Sequence, residues 1–564
     1  MPEEKVILTK QCKSCNTEFY ITSKDKEFYD KISPTFNGEK YNIPFPNLCP
    51  KCRNQRRLAF RNEKRLYKRN CDFSGEEIIS MYKPTYKGKV IKTEIWWSNK
   101  FEGLDYGINL NFNKNFFEQF KELILEVPTQ SLMHSKNENC EYTNEGGSGK
   151  GCYLCFCYGR IENCLYSANI QQSALIIDSL GVVKSEIGYE LVDCNFCYKV
   201  FYGDKSDYCK NSYYLYDCNN CENCIMCSGL KNKKYHILNK QYTKEGYKIR
   251  KEEILNNLEK YKKYYQELIL KTPKKLFLGN NNENFSGDIG FNTKNCHHCF
   301  EVYNSENLKY CDYILYGQDS MDSSYFGYDL TKGYEGLQIG RSGYNLLFCR
   351  GVVDNTSDMI YCSYCVGCKN CFGCSGLKNK QYCILNKQYT KDEYEKLASK
   401  IIKHMQKTGE WGEFFSYDLS PFGYNETVAN EYYPLEKEVA LEKGFNWSDY
   451  EPPFPKVEKI IPAEKLPKNI KDIPDDILNR AIKCEITNKP YRIIKQELDF
   501  YRKFNLPIPN KHPDQRHKER VKRRNLRQIF NRNCQKCGKD IQTSYRLDSP
   551  KIIYCEECYN KEFY

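Results

Sequence analysis

Cysteine recurs at every third residue through Cys218, Cys221, Cys224 and Cys227, and again in a longer run from Cys362 through Cys365, Cys368 and Cys371 to Cys374. No straight element keeps such a series on one side. A strand alternates its faces with a period of two, so side chains three apart point in opposite directions. They can share one interior only if the chain turns a corner between them, as in a tightly coiled parallel β-helix, where Cys is small enough to stack coil over coil. A second reading takes the same thiols as ligands of a metal or iron–sulfur cluster. Against it, the Cys-Pro ending of ferredoxin-type runs is missing and five cysteines in step exceed what one cluster uses.

The run lies inside a duplication. Residues 228–244 (SGLKNKKYHILNKQYTK) recur at 375–391 (SGLKNKQYCILNKQYTK), and the same offset carries Cys218 to Cys365, Cys152 to Cys299 and Cys164 to Cys311. Landmarks such as Cys140, Cys164, Ile187 and Cys209 return roughly every 20 to 24 residues, a spacing that suits the coils of a stacked repeat. Each half closes on a helical stretch, one from 243 to about 270 and one from 390 to about 405, the latter opening with the capping box Thr390 and Glu393. These helices, with an earlier one over 115–126 that ends at Val127-Pro128, are expected to cover stack ends, the earlier one on the first half. Residues 410–470, with Trp411, Trp447 and the Pro-rich 451–455, read as an extended linker packed along the body.

The two ends of the chain are also copies of each other. Cys12-x-x-Cys15, Phe19-Tyr20-Ile21, Phe28-Tyr29, Cys49-Pro50-x-Cys52-Arg53 and Arg57 match Cys484-x-x-Thr487, Tyr491-Arg492-Ile493, Phe500-Tyr501, His512-Pro513-x-Gln515-Arg516 and Arg520. Further on, Cys71 and Ser74 match Cys534 and Cys537, which pair with Cys555-x-x-Cys558. Each end therefore keeps one tetracysteine set: Cys12, Cys15, Cys49 and Cys52 in the first copy, and Cys534, Cys537, Cys555 and Cys558 in the second. Two CxxC knuckles present four thiolates that suit tetrahedral zinc, and four protein ligands leave no position for water, so two structural zinc ions are expected. The degenerate pairs, Cys71 at one end and Cys484 with His512 at the other, retain too few ligands, the alternative being a residual metal site. Cys296 and Cys299 with His297 and His298 form one more candidate cluster, though the first half matches only Cys152 there.

Arginine follows the first live site at Arg53, Arg57 and Arg61 and precedes the second at Arg516, Arg520 and Arg524, in each case along one helical face. A basic face beside a zinc ribbon can grip the phosphates of nucleic acid. The other readings are a solvated helix and arginines clamping the protein's own Asp and Glu. The net charge of +13 adds little, because abundant Lys, Asn, Ile and Tyr are what an AT-rich genome imposes.

No Ser-His-Asp order, Gly-rich phosphate loop or HExxH occurs, and seven histidines are few for an enzyme of 564 residues. With no basic-then-apolar start and no apolar run of membrane-spanning length, the 32 cysteines are expected as thiols in a soluble cytoplasmic protein rather than as the disulfides of a secreted scaffold.

Cys12 to Arg57 resembles the probable zinc-ribbon domain family, with its CxxC, aromatic-Ile-Thr, acidic-Phe-Tyr and Pro-x-x-Cys-Pro-x-Cys-Arg segments. Residues 371–380 (CFGCSGLKNK) and 554–559 (YCEECY) look like uncharacterised multi-cysteine proteins of candidate-phyla bacteria. The resemblance implies zinc binding and a cytoplasmic bacterial setting, and no known activity comes with it.

The fold expected is mainly β with helices, a duplicated parallel β-helix-like core flanked by zinc-ribbon pairs. Its divisions are a ribbon with basic helix (1–70), a degenerate ribbon and helix (71–130), two Cys/Tyr-rich repeats with closing helices (131–280 and 281–409), a linker (410–475), a degenerate ribbon with basic helix (476–530) and a final ribbon (531–564). The function expected is a non-enzymatic zinc-binding scaffold that binds RNA or the ribosome through the Arg faces. A protein-interaction module using the β-helix wall and an iron–sulfur redox protein are the alternatives. No membrane or small-molecule partner is expected.

Overall fold

A computed structural model describes residues 4–451, 457, 459–467 and 469–563. The first three residues and most of the Pro-rich stretch read as linker, 452–456, lie outside the described residues. The chain is mainly β with helices, dominated by a 12-stranded and a 9-stranded group that are parallel apart from one closing hairpin each.

The corners that the cysteine spacing demands fall at every third residue. From Asn163 through Tyr166, Asn169, Gln172 and Leu175 to Asp178 the backbone has φ near +50°, and the residue after each of these is buried: Cys164, Ser167, Ile170, Ser173, Ile176 and Ser179. Left-handed backbone costs a non-glycine residue about 1 kcal/mol, so the conformation must be offset by pairing. It is, on four sides: Leu165 pairs with Ile177, Ala168 with Leu180, Gln171 with Val183 and Ala174 with Glu186, each a step of twelve. The inward hydroxyls are satisfied within the stack. Ser167 donates to the Leu165 carbonyl at 2.8 Å and accepts from the Ser179 N–H at 3.1 Å. Outward corner residues twelve apart stack, as Phe196 does on Tyr208 with ring centroids 4.6 Å apart.

The register corrects the expected spacing of 20 to 24 residues. Cys152 and Cys164 are one step of twelve apart, and Cys140 to Cys164 spans two. In the second group the step is twelve at Phe300–Asp312, thirteen at Tyr328–Arg341 and Tyr344–Ser357, and twelve again at Ser357–Lys369.

The terminal modules correspond element by element. Helices Ser23–Ile32 and Pro50–Leu58 match Lys495–Phe504 and Pro513–Arg523, the second helix of each module beginning on Pro, whose missing N–H costs nothing in a first turn. Hairpin Tyr67–Asn70 with Glu77–Ser80 matches Phe530–Asn533 with Asp540–Thr543. The knuckle turns share left-handed residues, Asn16 with Asn488 and Gly75 with Gly538. The N-terminal helix Pro50–Leu58 lies on the second strand group, over strand Gln318–Leu337, and the C-terminal helix Pro513–Arg523 lies on the first, over Leu180–Val183.

Around the second group a large aromatic core forms. Helix Phe116–Glu126 places Phe116 5.2 Å from Phe372, so it covers the second half rather than the first as the sequence suggests. Phe120 stacks on Phe415, and Trp411 donates to the Asn42 carbonyl, which folds the 410–447 stretch into this core. The helical stretch after Thr243 breaks at Asn257 into Lys244–Asn256 and Leu258–Lys271, whereas Lys391–Thr408 runs unbroken behind its Thr390–Glu393 capping box. No helix among the described residues is long and apolar enough to cross a membrane.

Candidate metal centres and the buried arginine helices

Each live cysteine set converges to a point. The Sγ atoms of Cys12, Cys15, Cys49 and Cys52 all lie within 4.8 Å of one another, as do those of Cys534, Cys537, Cys555 and Cys558. Cys15 and Cys49 are 3.7 Å apart, and Cys537 and Cys555 3.8 Å. A tetrahedral ion with metal–sulfur bonds of about 2.3 Å sets its ligands about 3.8 Å apart, so both sets fit a zinc-ribbon-like site. Two thiols of each set sit at a helix N-terminus: Cys49 precedes Pro50–Leu58, which contains Cys52, and Cys555 precedes Glu556–Phe563, which contains Cys558. The helix dipole favours thiolate there. Hydrogen bonding from Cys52 pushes Cys49 down to about 5, while Cys52 itself is raised. Burial of Cys534 is outweighed by the backbone N–H groups of Cys555 and Cys537, which bring it to about 6.

The degenerate pairs keep the knuckle and lose the ligands. Cys71 Sγ accepts from the N–H of Ser74 at 3.5 Å and of Lys92 at 3.3 Å, the second of these repeating the bond from Cys555 to Cys534 at the live site. Cys484 accepts from Thr487, and His512 caps its helix by accepting from the Asp514 N–H. Neither pair belongs to a metal-binding group among the described residues.

Among the described residues, no three mid-chain cysteines bring their sulfurs within 4.8 Å of one another. They behave as packing thiols: Cys155 donates to the carbonyls of Tyr153 and Cys164, and Cys221 to those of Asn219 and Leu230. Cys296 and Cys299 point inward and are fully buried, whereas His297 faces Asn284 and His298 lies against Tyr310, so this cluster does not converge either.

The arginine faces are turned inward. Arg53, Arg57, Arg61, Arg516, Arg520 and Arg524 do not present a surface to phosphate, which corrects the expectation of a nucleic-acid grip; the first five are buried and Arg524 is half-buried with its side chain covered, their charges committed to carboxylates. Arg53 pairs with Asp322 at 2.8 Å, and Arg57 with Glu335 at 3.0 Å and Asp322 at 3.4 Å. Arg516 pairs closely with Asp178, and Arg520 reaches both Asp178 and Glu190 at 3.1 Å. Arg61 holds Glu63 and Glu145, and Arg524 holds Asp193 and Glu301. Asp178 and Glu190, like Asp322 and Glu335, are corner residues on successive turns of the strand groups. Arg53 and Arg57 thus bind acids of the second half as Arg516 and Arg520 bind acids of the first, while Arg61 reaches Glu145 in the first half and Arg524 reaches Glu301 in the second.

Burial raises the Glu145 carboxyl to about 7 and Asp193 to about 6 despite Arg61 and Arg524. At Glu335 burial is outweighed by Arg56, Arg57 and Arg53, and its carboxyl is held low. Arg56, Arg523 and Arg527, which belong to the same arginine runs of the sequence but lie outside the matched face, join the same networks through Glu335, Glu190, Asp204, Glu301 and Asp312. Acidic residues twelve or thirteen apart at corner positions were the available signal. Comparison of the chain with family models and with curated proteins returns no match.

Proposed function

We propose that the chain is a non-enzymatic binding scaffold: two structural zinc ions set the terminal modules, and the strand groups, two short-coiled parallel β-helices, offer their outer wall to a protein partner. Zinc suits a closed tetrathiolate whose role is to fold the chain, since it undergoes no redox change. Exposed aromatic side chains along the walls carry the reading. Phe196 and Tyr208 lie parallel and are 39% and 48% exposed, and Tyr316, Tyr328 and Tyr344 are each at least 44% exposed on the second wall. Rigid rings left in water on a regular surface are the residues that anchor protein interfaces.

A second reading, single-stranded RNA on the same wall, draws on Lys184 over Phe196 and Lys332 over Tyr344, since stacking rings with nearby cations suit unpaired bases. The test compares the wild-type chain with the double variant Phe196→Ser, Tyr208→Ser as bait for cell extract. A defined protein held through high salt and nuclease by the wild type, and lost from the variant at equal zinc content, supports the protein reading. Retention abolished by nuclease or salt supports RNA, and equal retention by both baits contradicts the wall.

A further inference from the structure

Where the C-terminal ribbon meets the first strand group, three lysines converge on two tyrosine rings with no acid among them. Lys274 Nζ lies 4.4 Å and Lys551 Nζ 4.9 Å from the centre of Tyr216; Lys205 and Lys551 lie 5.0 Å and 5.6 Å from the centre of Tyr545. Lys205 and Lys274 are only 6% and 1% exposed. Each ammonium has three donors, yet each finds one acceptor: Tyr545 Oη for Lys205 at 3.4 Å, Ser228 Oγ for Lys274 at 3.0 Å and Tyr216 Oη for Lys551 at 2.7 Å. The neighbouring carboxylates are engaged elsewhere, Asp217 by Lys231 and Tyr559, Asp204 by Arg523, and Asp288 by Asn525 and Ser544.

Buried charges are ordinarily paired, and three like charges gathered at one junction repel. The fold does not require them. At the matched junction of the N-terminal unit, Tyr82 stands for Tyr545 and Gly88 for Lys551, and the space is filled by Tyr82 stacked between Tyr86 and Phe422. The arginines of the docking helices, by contrast, are each paired with an acid, as Arg53 is with Asp322 and Arg520 with Glu190; the buried Arg350, which has none among the described residues, is a lone cation between Phe60 and Tyr364 and not one of a cluster.

We propose that Lys205, Lys274 and Lys551, with the Tyr216 and Tyr545 hydroxyls, form a binding site for a tetrahedral oxyanion of the phosphate type, either free or as the phosphoryl end of a larger molecule. Six unused ammonium donors and two phenol hydroxyls match the acceptors of such an ion, and charge-assisted bonds of this kind are strong. Burial also pushes Lys274 and Lys551 down to about 8. Lys205 is shifted the other way, burial being outweighed by the Tyr545 and Tyr216 phenolates, which are charged only at alkaline pH.

Calorimetric titration of the full-length, zinc-loaded chain at pH 7 with inorganic phosphate, and separately with adenosine monophosphate, tests the site. Binding of either, weakened at least tenfold in Lys551→Met, is the expected result. Tighter phosphate identifies a free ion, tighter nucleotide a larger ligand. Lys551 is partly exposed, so its variant should fold; should Lys274→Met also fold, it must lose binding too. No binding of either anion, or binding unchanged in Lys551→Met, overturns the proposal.

Discussion

Arg57 and Glu335 form an ion pair at 3.0 Å with both side chains out of water, and they join the N-terminal helix to a strand 278 residues further along the chain. Because the module's hold on the second half depends on such pairs, breaking one should be costly. Arg57→Ala leaves the buried Glu335 carboxylate to Arg56 at 2.9 Å and Arg53 at 3.9 Å and takes from Asp322 one of its two arginines, and a loss of about 3 kcal/mol follows. The double variant Arg57→Met, Glu335→Leu should recover much of that loss, because neither charge is then stranded. Urea unfolding of the three proteins measures both effects, and a single variant no less stable than the double would contradict the clamp.

Metal should matter only at the live sites. Cys534→Ser is expected to release one ion per chain and expose the segment from 530 onward to limited proteolysis. Cys71→Ser, whose sulfur only accepts two backbone bonds, is expected to leave metal content unchanged and to lower stability by about 1 kcal/mol.

The mid-chain thiols should follow the arithmetic of packing. Cys164→Ser puts a hydroxyl where the neighbouring corners already carry Ser167 and Ser173, each hydrogen-bonded to the carbonyl two residues before it, so a small change is expected. Cys164→Leu overfills the interior and should cost about 1–3 kcal/mol. Thermal unfolding separates the two.

The lysine cluster has a pH signature with a definite sign. Lys274 and Lys551 titrate near 8 in the folded chain and near 10.5 when unfolded, so between those values the unfolded state binds more protons and stability rises with pH. Below about 8 the penalty is fully present. Chemical unfolding from pH 7.5 to 10 in phosphate-free buffer should show this gain, and saturating phosphate should flatten it by stabilising the charged lysines at the lower end. A gain of equal size in Lys551→Met would exclude Lys551 as a source.

Much of this architecture is written locally. The three-residue cysteine step requires a corner at every third residue, and the corners are where it places them, because no extended chain can turn Cys218, Cys221, Cys224 and Cys227 to one side. The tetracysteine sets were legible for a similar reason: knuckle and helix start are encoded in a few adjacent residues. The length of the turn was not, since landmarks such as Cys140 and Cys164 sit two steps of twelve apart and conceal the step between. Nor was the role of the arginines. Their helical face reads equally well as a surface for phosphate, and the acids that claim it, Asp322 for Arg53 and Asp178 for Arg520, are 269 and 342 residues away. Only the stacking of corners brings Asp322 and Glu335, or Asp178 and Glu190, into one acidic ladder that a helix of arginines can cover.

Metal content per chain separates a zinc-held scaffold from a cluster protein. In protein purified without oxygen, two zinc ions and no iron are expected, with the same count in Cys221→Ser. Iron with visible absorbance that disappears in Cys221→Ser would contradict it, making the interior cysteines ligands rather than the packing of a zinc-held scaffold.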